Sequence, residues 1–144
     1  MRIALIVRWV AAALLFGNLS LSAQEDGWKE IYKDEERTTT VQVSSVKATK
    51  RGVTAWLNHH HHTPIDVPKF NVRIALFKEK AEYSKTKKWA PRLILFDDKG
   101  RLVEDHANPP NAEGLEIIPG TVEEVIAREV WALLKAPKAK PGRK

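Results

Sequence analysis

Apolar residues recur at every second position along most of this chain and change to helical spacing only near its end. Trp28 to Tyr32 reads as a first strand. Arg37 through Val46, carrying the β-branched Thr38, Thr39, Thr40, Val41, Val43 and Val46, reads as a second. After a turn at Lys50, Arg51 and Gly52, Val53, Ala55 and Leu57 alternate with Thr54, Trp56 and Asn58, which gives one apolar face and an opposite face bearing a lone tryptophan. Phe70 to Phe77 predicts a fourth strand, with Val72, Ile74 and Leu76 on one side and Arg73, Ala75 and Phe77 on the other. Leu93 to Phe96 and Leu102 to Val103 flank Asp97, Asp98, Lys99 and Gly100, which is a hairpin signal because Asp favours turn entry and Gly tolerates positive φ. The paired aspartates suit that turn without any metal or acid-base role.

The last element is a helix. Pro119 and Gly120 stop the preceding segment, Thr121 stands at the cap, and Glu124 completes a Thr-x-x-Glu capping box, with Glu123 and Glu124 at the positive end of the dipole. At about 100° per residue, Val122, Val125, Ile126, Val130 and Leu133 share one stripe, while Glu124 and Arg128 form an i, i+4 pair elsewhere. Glu129 falls inside the stripe, so it must lie at its edge or find a basic partner. Trp131 falls on the opposite side, which predicts contact with a loop folded over the helix or with a second copy in a homodimer. The fold class expected is therefore α+β, a small antiparallel β-sheet with one C-terminal α-helix packed on a face.

The beginning of the chain adds an address. Arg2 and Arg8, the apolar run Trp9 to Phe16 and the small residues before Gln24 predict a signal peptide over residues 1–23, with cleavage after Ala23. The apolar stretch is too short for a membrane span. Residues 24–135 then make one domain and residues 136–144, with Lys138, Lys140, Arg143 and Lys144, a disordered basic tail. An exported chain is expected in the periplasm or outside the cell. Cysteine is absent, so no disulfide is available and no lipid anchor of the lipoprotein type can be attached. Setting aside Arg2 and Arg8, the 24 basic residues become 22 against 18 acidic ones, a net of +4. Lys78, Lys80, Lys85, Lys87 and Lys88 cluster in the middle, either as solvated surface or as an anionic site; nucleic acid is not an expected partner.

Gly27-Trp28-Lys29-Glu30-Ile31, Val53-Thr54-Ala55-Trp56-Leu57 and Ile117-Ile118-Pro119-Gly120-Thr121-Val122-Glu123-Glu124-Val125-Ile126 together resemble the surface-adhesin protein E-like family, across most of residues 27–134. The resemblance implies an exported, non-catalytic module that binds a protein partner, from the extracellular matrix or the cell envelope. It also implies a disulfide between helix and sheet, and Trp131 stands where the helix cysteine would be, so that burial of an aromatic replaces a covalent tie.

The most chemically suggestive run is His59-His60-His61-His62. If the third strand persists through it, His60 and His62 share a face about 7 Å apart and two imidazoles can share a zinc, nickel or copper ion. A full site needs further ligands, for which Asp66, Glu104 and His106 are the acidic and imidazole groups at hand; without them the run is an exposed loop that binds metal incidentally. No enzymatic motif is present: there is no cysteine nucleophile, no G-x-S-x-G, no H-E-x-x-H and no glycine-rich phosphate loop, and Asp105 beside His106 is adjacency in sequence alone. The chain therefore reads as a binding module, with a periplasmic metal-binding protein as the alternative.

Overall fold

The computed structural model describes residues 27–136. The expected signal peptide at residues 1–23 and, beyond Ala136, the expected basic tail lie outside the described residues. Eight strands form one sheet: β1 (Trp28–Lys33), β2 (Arg37–Gln42), β3 (Lys47–Ala48), β4 (Val53–Val67), β5 (Val72–Tyr83), β6 (Lys87–Asp97), β7 (Leu102–Ala107) and β8 (Leu115–Glu116). The principal order is β1-β2-β4-β5-β6-β7, with every neighbouring pair antiparallel. β3 pairs with the start of β4 and β8 with the start of β6. Among the described residues one α-helix, α1 (Val122–Lys135), follows the strands and packs on the sheet. The α+β class holds, but the sheet is larger than the small one expected.

The extra size comes from three central strands that run well past the apolar segments. β4 continues through all four histidines to Val67, because β2 pairs with it on one side as far as His61 and β5 on the other. Backbone pairing on both edges holds a strand that side-chain hydrophobicity does not mark. β5 extends to Tyr83 and β6 begins at Lys87, so the lysine-rich middle of the chain is a strand pair joined by a turn in which the Ser84 backbone N–H donates to the Lys87 carbonyl. Both prolines inside long strands sit where the register slips. Pro64 lies between the His60–Leu76 and Ile65–Ile74 pairs, and Pro91 between the Arg92–Lys80 and Trp89–Glu82 pairs. A bulge needs no N–H at such a position, so proline is tolerated there.

The second expected strand breaks in the middle. It ends at Gln42, and a short 3-10 turn at Val43–Ser45 leads to β3. Ser45 holds this corner, donating to the Gln42 carbonyl and accepting from the Trp56 backbone N–H. The hairpin at Asp97 forms as expected: the Asp97 carboxylate accepts from the backbone N–H groups of Lys99 and Arg101, and Gly100 adopts φ +78°. Hydrogen bonding from the Arg101 backbone is the main cause that lowers the Asp97 pKa.

Val41, Val46, Val53, Ala55, Leu57, Ala81 and Tyr83 form the face of the sheet on which α1 lies, and Ile126, Ala127 and Val130 of the helix complete the core. The helix is rotated from the expected stripe. Val125 is exposed and Ala127 is buried, and Trp131 and Leu134 pack against the core. Glu129 is half-buried at the margin. Two contacts set this rotation: Glu123 turns to the sheet to meet Tyr83 and Lys88, and Trp131 turns to meet the β3–β4 corner. The capping box does not form either. Thr121 occupies the cap position, but its hydroxyl donates to the Ile118 carbonyl while Glu124 pairs with Arg128 at 2.9 Å.

Trp131 is thus packed within the chain, on Gly52. A Cβ at that glycine would lie 2.0 Å from the Tyr83 carbonyl oxygen and 2.8 Å from the Trp131 ring. Gly52→Ala is therefore expected to destabilise the protein by about 2 kcal/mol, since the obstacle is backbone and cannot yield as a side chain would. Urea denaturation followed by tryptophan fluorescence measures this, and an unchanged midpoint would show that the helix does not rest on this corner.

Candidate functional site

Along β5 the residues Phe77, Glu79, Ala81 and Tyr83 point to the helix side and Lys78, Lys80 and Glu82 to the other, by the period of two. This places a carboxylate, Glu79, in the apolar face, where an unpaired charge would be costly. One of its oxygens has two partners. The His59 Nε2–H donates to Glu79 Oε1 at 2.7 Å, and Lys88 Nζ donates to the same oxygen at 2.8 Å. Lys88 also reaches Glu123 of α1 at 2.9 Å, and the Tyr83 hydroxyl donates to Glu123 Oε1 at 2.8 Å. On the far side, Thr39 Oγ1 and His59 Nδ1 are 2.9 Å apart, so in the neutral imidazole the threonine hydroxyl donates. The result is one hydrogen-bonded chain, Thr39–His59–Glu79–Lys88–Glu123–Tyr83, which crosses β2, β4, β5 and β6, reaches the helix at Glu123 and returns to β5 at Tyr83.

The environment sets the protonation of these groups. Burial alone would raise the Glu79 carboxyl, but the His59 hydrogen bond and the Lys88 ammonium outweigh it and hold the group at about 2, below its ordinary 4.5. Burial works against the Lys88 charge, yet the two carboxylates outweigh it and raise its pKa. Burial, then the Glu123 and Glu79 charges, push the Tyr83 phenol well above its usual range, so it remains a donor.

A hydroxyl, an imidazole and a carboxylate in series have the connectivity of a nucleophile, its base and an orienting acid. Here Thr39 is fully buried, so no substrate reaches its oxygen and the series serves as an interior tie. The other end is more open. Glu79, Lys88 and Glu123 stand at the back of a cleft of about 800 Å³ whose rim includes Trp89, Pro110 and Leu115. The cleft lies at the edge of β6, between the residues paired with β8 and those paired with β7. Arg51 closes one wall, stacking on the Trp89 ring at 4.5 Å and donating to the Pro110 carbonyl at 2.8 Å.

The opposite face of the sheet, away from α1, carries a second arrangement. Trp56 of β4 and Trp28 of β1 both lie near Lys78 of β5, whose ammonium is 5.7 Å and 5.6 Å from the two ring centroids. Lys78 is opposite Asn58 and Lys80 opposite Trp56 in the strand register. Asn58 Oδ1 is covered and has no hydrogen-bond partner among the described residues. The lone tryptophan visible in the sequence thus has a partner from a strand two places away, which only the register brings near.

The histidines divide between the faces. His59 is committed to Thr39 and Glu79. His61 is half-buried with its ring edge-on to Phe77 at 4.9 Å. His62 donates from Nδ1 to the Glu35 carbonyl and shares Nε2 with the Thr38 hydroxyl, while His60 is exposed. The strand does persist through the run, yet among the described residues no three of His, Cys, Asp and Glu are gathered as metal ligands. Asp66 pairs with Arg73, Asp105 with Arg92, and His106 with Asn108. The lysine cluster is likewise divided: Lys88 is largely buried in the ion chain, whereas Lys80, Lys85 and Lys87 are exposed. No helix among the described residues is long and apolar enough to cross a membrane.

Comparison with family models, with curated proteins and with solved structures gives no match in any of the three. The resemblance to the surface-adhesin protein E-like family rests on the residues that carry it.

Two outcomes are expected. The depressed Glu79 pKa means that the folded state gains stability above the ordinary carboxylate value and loses it as pH falls from about 4.5 toward 2. That interval corresponds to about 3 kcal/mol. Denaturant titrations of the wild type and Glu79→Gln across it should show a steeper loss in the wild type, and parallel curves would contradict the assignment. Calorimetry with zinc or nickel should give an affinity no tighter than that of a free tetrahistidine peptide, since metal at His62 must displace Thr38 or Glu35. Stoichiometric submicromolar binding abolished by His60→Ala would instead support a metal protein.

Proposed function

We propose that this chain is an exported, non-enzymatic binding module, residing in the periplasm or outside the cell, that engages a protein partner through the sheet face turned away from α1. The observation that carries this reading is the placement of Trp28, Trp56 and Lys78 on that face. Tryptophan is a residue type that concentrates binding energy, because it buries large area with few rotamers to fix. α1 occupies the other face, leaving this one uncovered by any helix among the described residues. The resemblance to an adhesin-like family and the signal-peptide pattern support the same reading from the sequence side.

The test uses immobilised protein exposed to envelope and matrix protein extracts. A specific protein should be enriched over an unrelated basic domain, and the Trp28→Ala, Trp56→Ala double variant should weaken its retention about tenfold or more, as truncation of aromatic anchors does. Circular dichroism checks that the variant is folded. Equal recovery on the basic control, or retention indifferent to both tryptophans, would contradict the proposal.

A further inference from the structure

We propose that the ligand of the uncovered face is an acidic polypeptide segment in extended conformation, whose alternate carboxylates meet Lys78 and Lys80. This deepens the binding-module reading and rests on it. Lys78 and Lys80 are two residues apart on β5, so they project from one face about 7 Å from each other. An extended partner segment repeats its side chains on one face at the same interval. The match in period is between two strands, one supplying ammonium groups and the other carboxylates.

Glu30 of β1 shares the cross-strand row of Lys78 at the far edge of this face, and the charges beside the lysine pair on β5 and β6 are matched. Arg92 is matched by Asp105 at 2.6 Å and Arg51 by Glu82 at 3.5 Å, whereas no ion pair joins Lys78 or Lys80 to a carboxylate among the described residues. Lys78 and Lys80 are thus two neighbouring cations of this face without an ion pair. Lys78 is half-buried and lies near two aromatic rings, so a carboxylate placed on it meets a partly desolvated cation already held in position. Such a pair is worth more than a freely exposed one. Beside it, Asn58 Oδ1 is an acceptor without a donor. A polypeptide brings a backbone N–H at each residue, which meets that acceptor once the Lys78 stem turns to the carboxylate. An anionic glycan offers charge and hydroxyl donors but not the period of a strand, and it is the competing ligand that the experiment must separate.

Fluorescence anisotropy on the full chain tests this with labelled peptides of identical composition, one alternating glutamate with threonine and the other holding its glutamates in a single block. The alternating peptide should bind more tightly, Lys78→Gln should weaken it about tenfold and Lys80→Gln about threefold, and added salt should weaken it further. Both variants change outward-facing side chains, and unchanged thermal melting confirms that they fold. Equal affinity for the two peptides, indifference to both substitutions, or tighter binding of polygalacturonate to the same face would overturn the inference. If no acidic probe binds while an extract protein is still retained through Trp28 and Trp56, the acidic segment is wrong and the binding module stands. If the tryptophan variants lose nothing in that retention assay, the binding face itself is wrong.

Discussion

A single buried carboxylate, Glu79, organises this protein. Its position follows from strand alternation: a residue between Phe77 and Ala81 on the inward face of β5 is turned to the helix side and is buried there but for its edge on the cleft. A charge there is tolerable only with partners, and the neighbouring strands deliver them, His59 from β4 and Lys88 from β6. Lys88 in turn is answered by Glu123, which fixes the first turn of α1 over the sheet. The rotation of the helix, the loss of the capping box and the burial of Ala127 in place of Val125 all accompany that choice. The core is apolar at the Val53–Leu57 end and ionic at the Lys88 end, and the helix bridges the two.

Ion chains of this kind add specificity more reliably than stability, because desolvation offsets much of the attraction. A slip of β5 by one residue against β4 would turn Glu79 outward, away from His59, and bring Lys78 beneath the helix, so only one register satisfies the interior. The same alternation that buries Glu79 displays Lys78 and Lys80. Inner tie and outer surface are therefore two sides of one strand.

Much of this was legible in the residues, and what was hidden had a physical cause. Val53 to Leu57, the Asp97–Gly100 hairpin and the helix after Pro119–Gly120 announce themselves through apolar alternation and turn chemistry. The strands at Lys78–Tyr83 and Lys87–Arg92 do not, because an inward glutamate or lysine looks as polar as its outward neighbours until its partners are known. The same holds for the histidine run, whose backbone is recruited into β4 by pairing on both edges. Trp131 illustrates the converse: helical spacing sets it off the apolar stripe, yet its bulk fits the one corner where Gly52 leaves room. Trp56 was visible, but its relation to Trp28 depends on a register that no local pattern encodes.

The helix that completes the ion chain follows all eight strands in the order of the described elements. Until Glu123 and the residues after it are available, the sheet has an open apolar face and Lys88 lacks one of its two carboxylates. The strands from β1 to β7 pair mostly with their neighbours in sequence through short turns, so the sheet can assemble hairpin by hairpin before the helix docks. The docking of one helix therefore meets two needs of the sheet together, covering its apolar face and giving its buried lysine a second carboxylate.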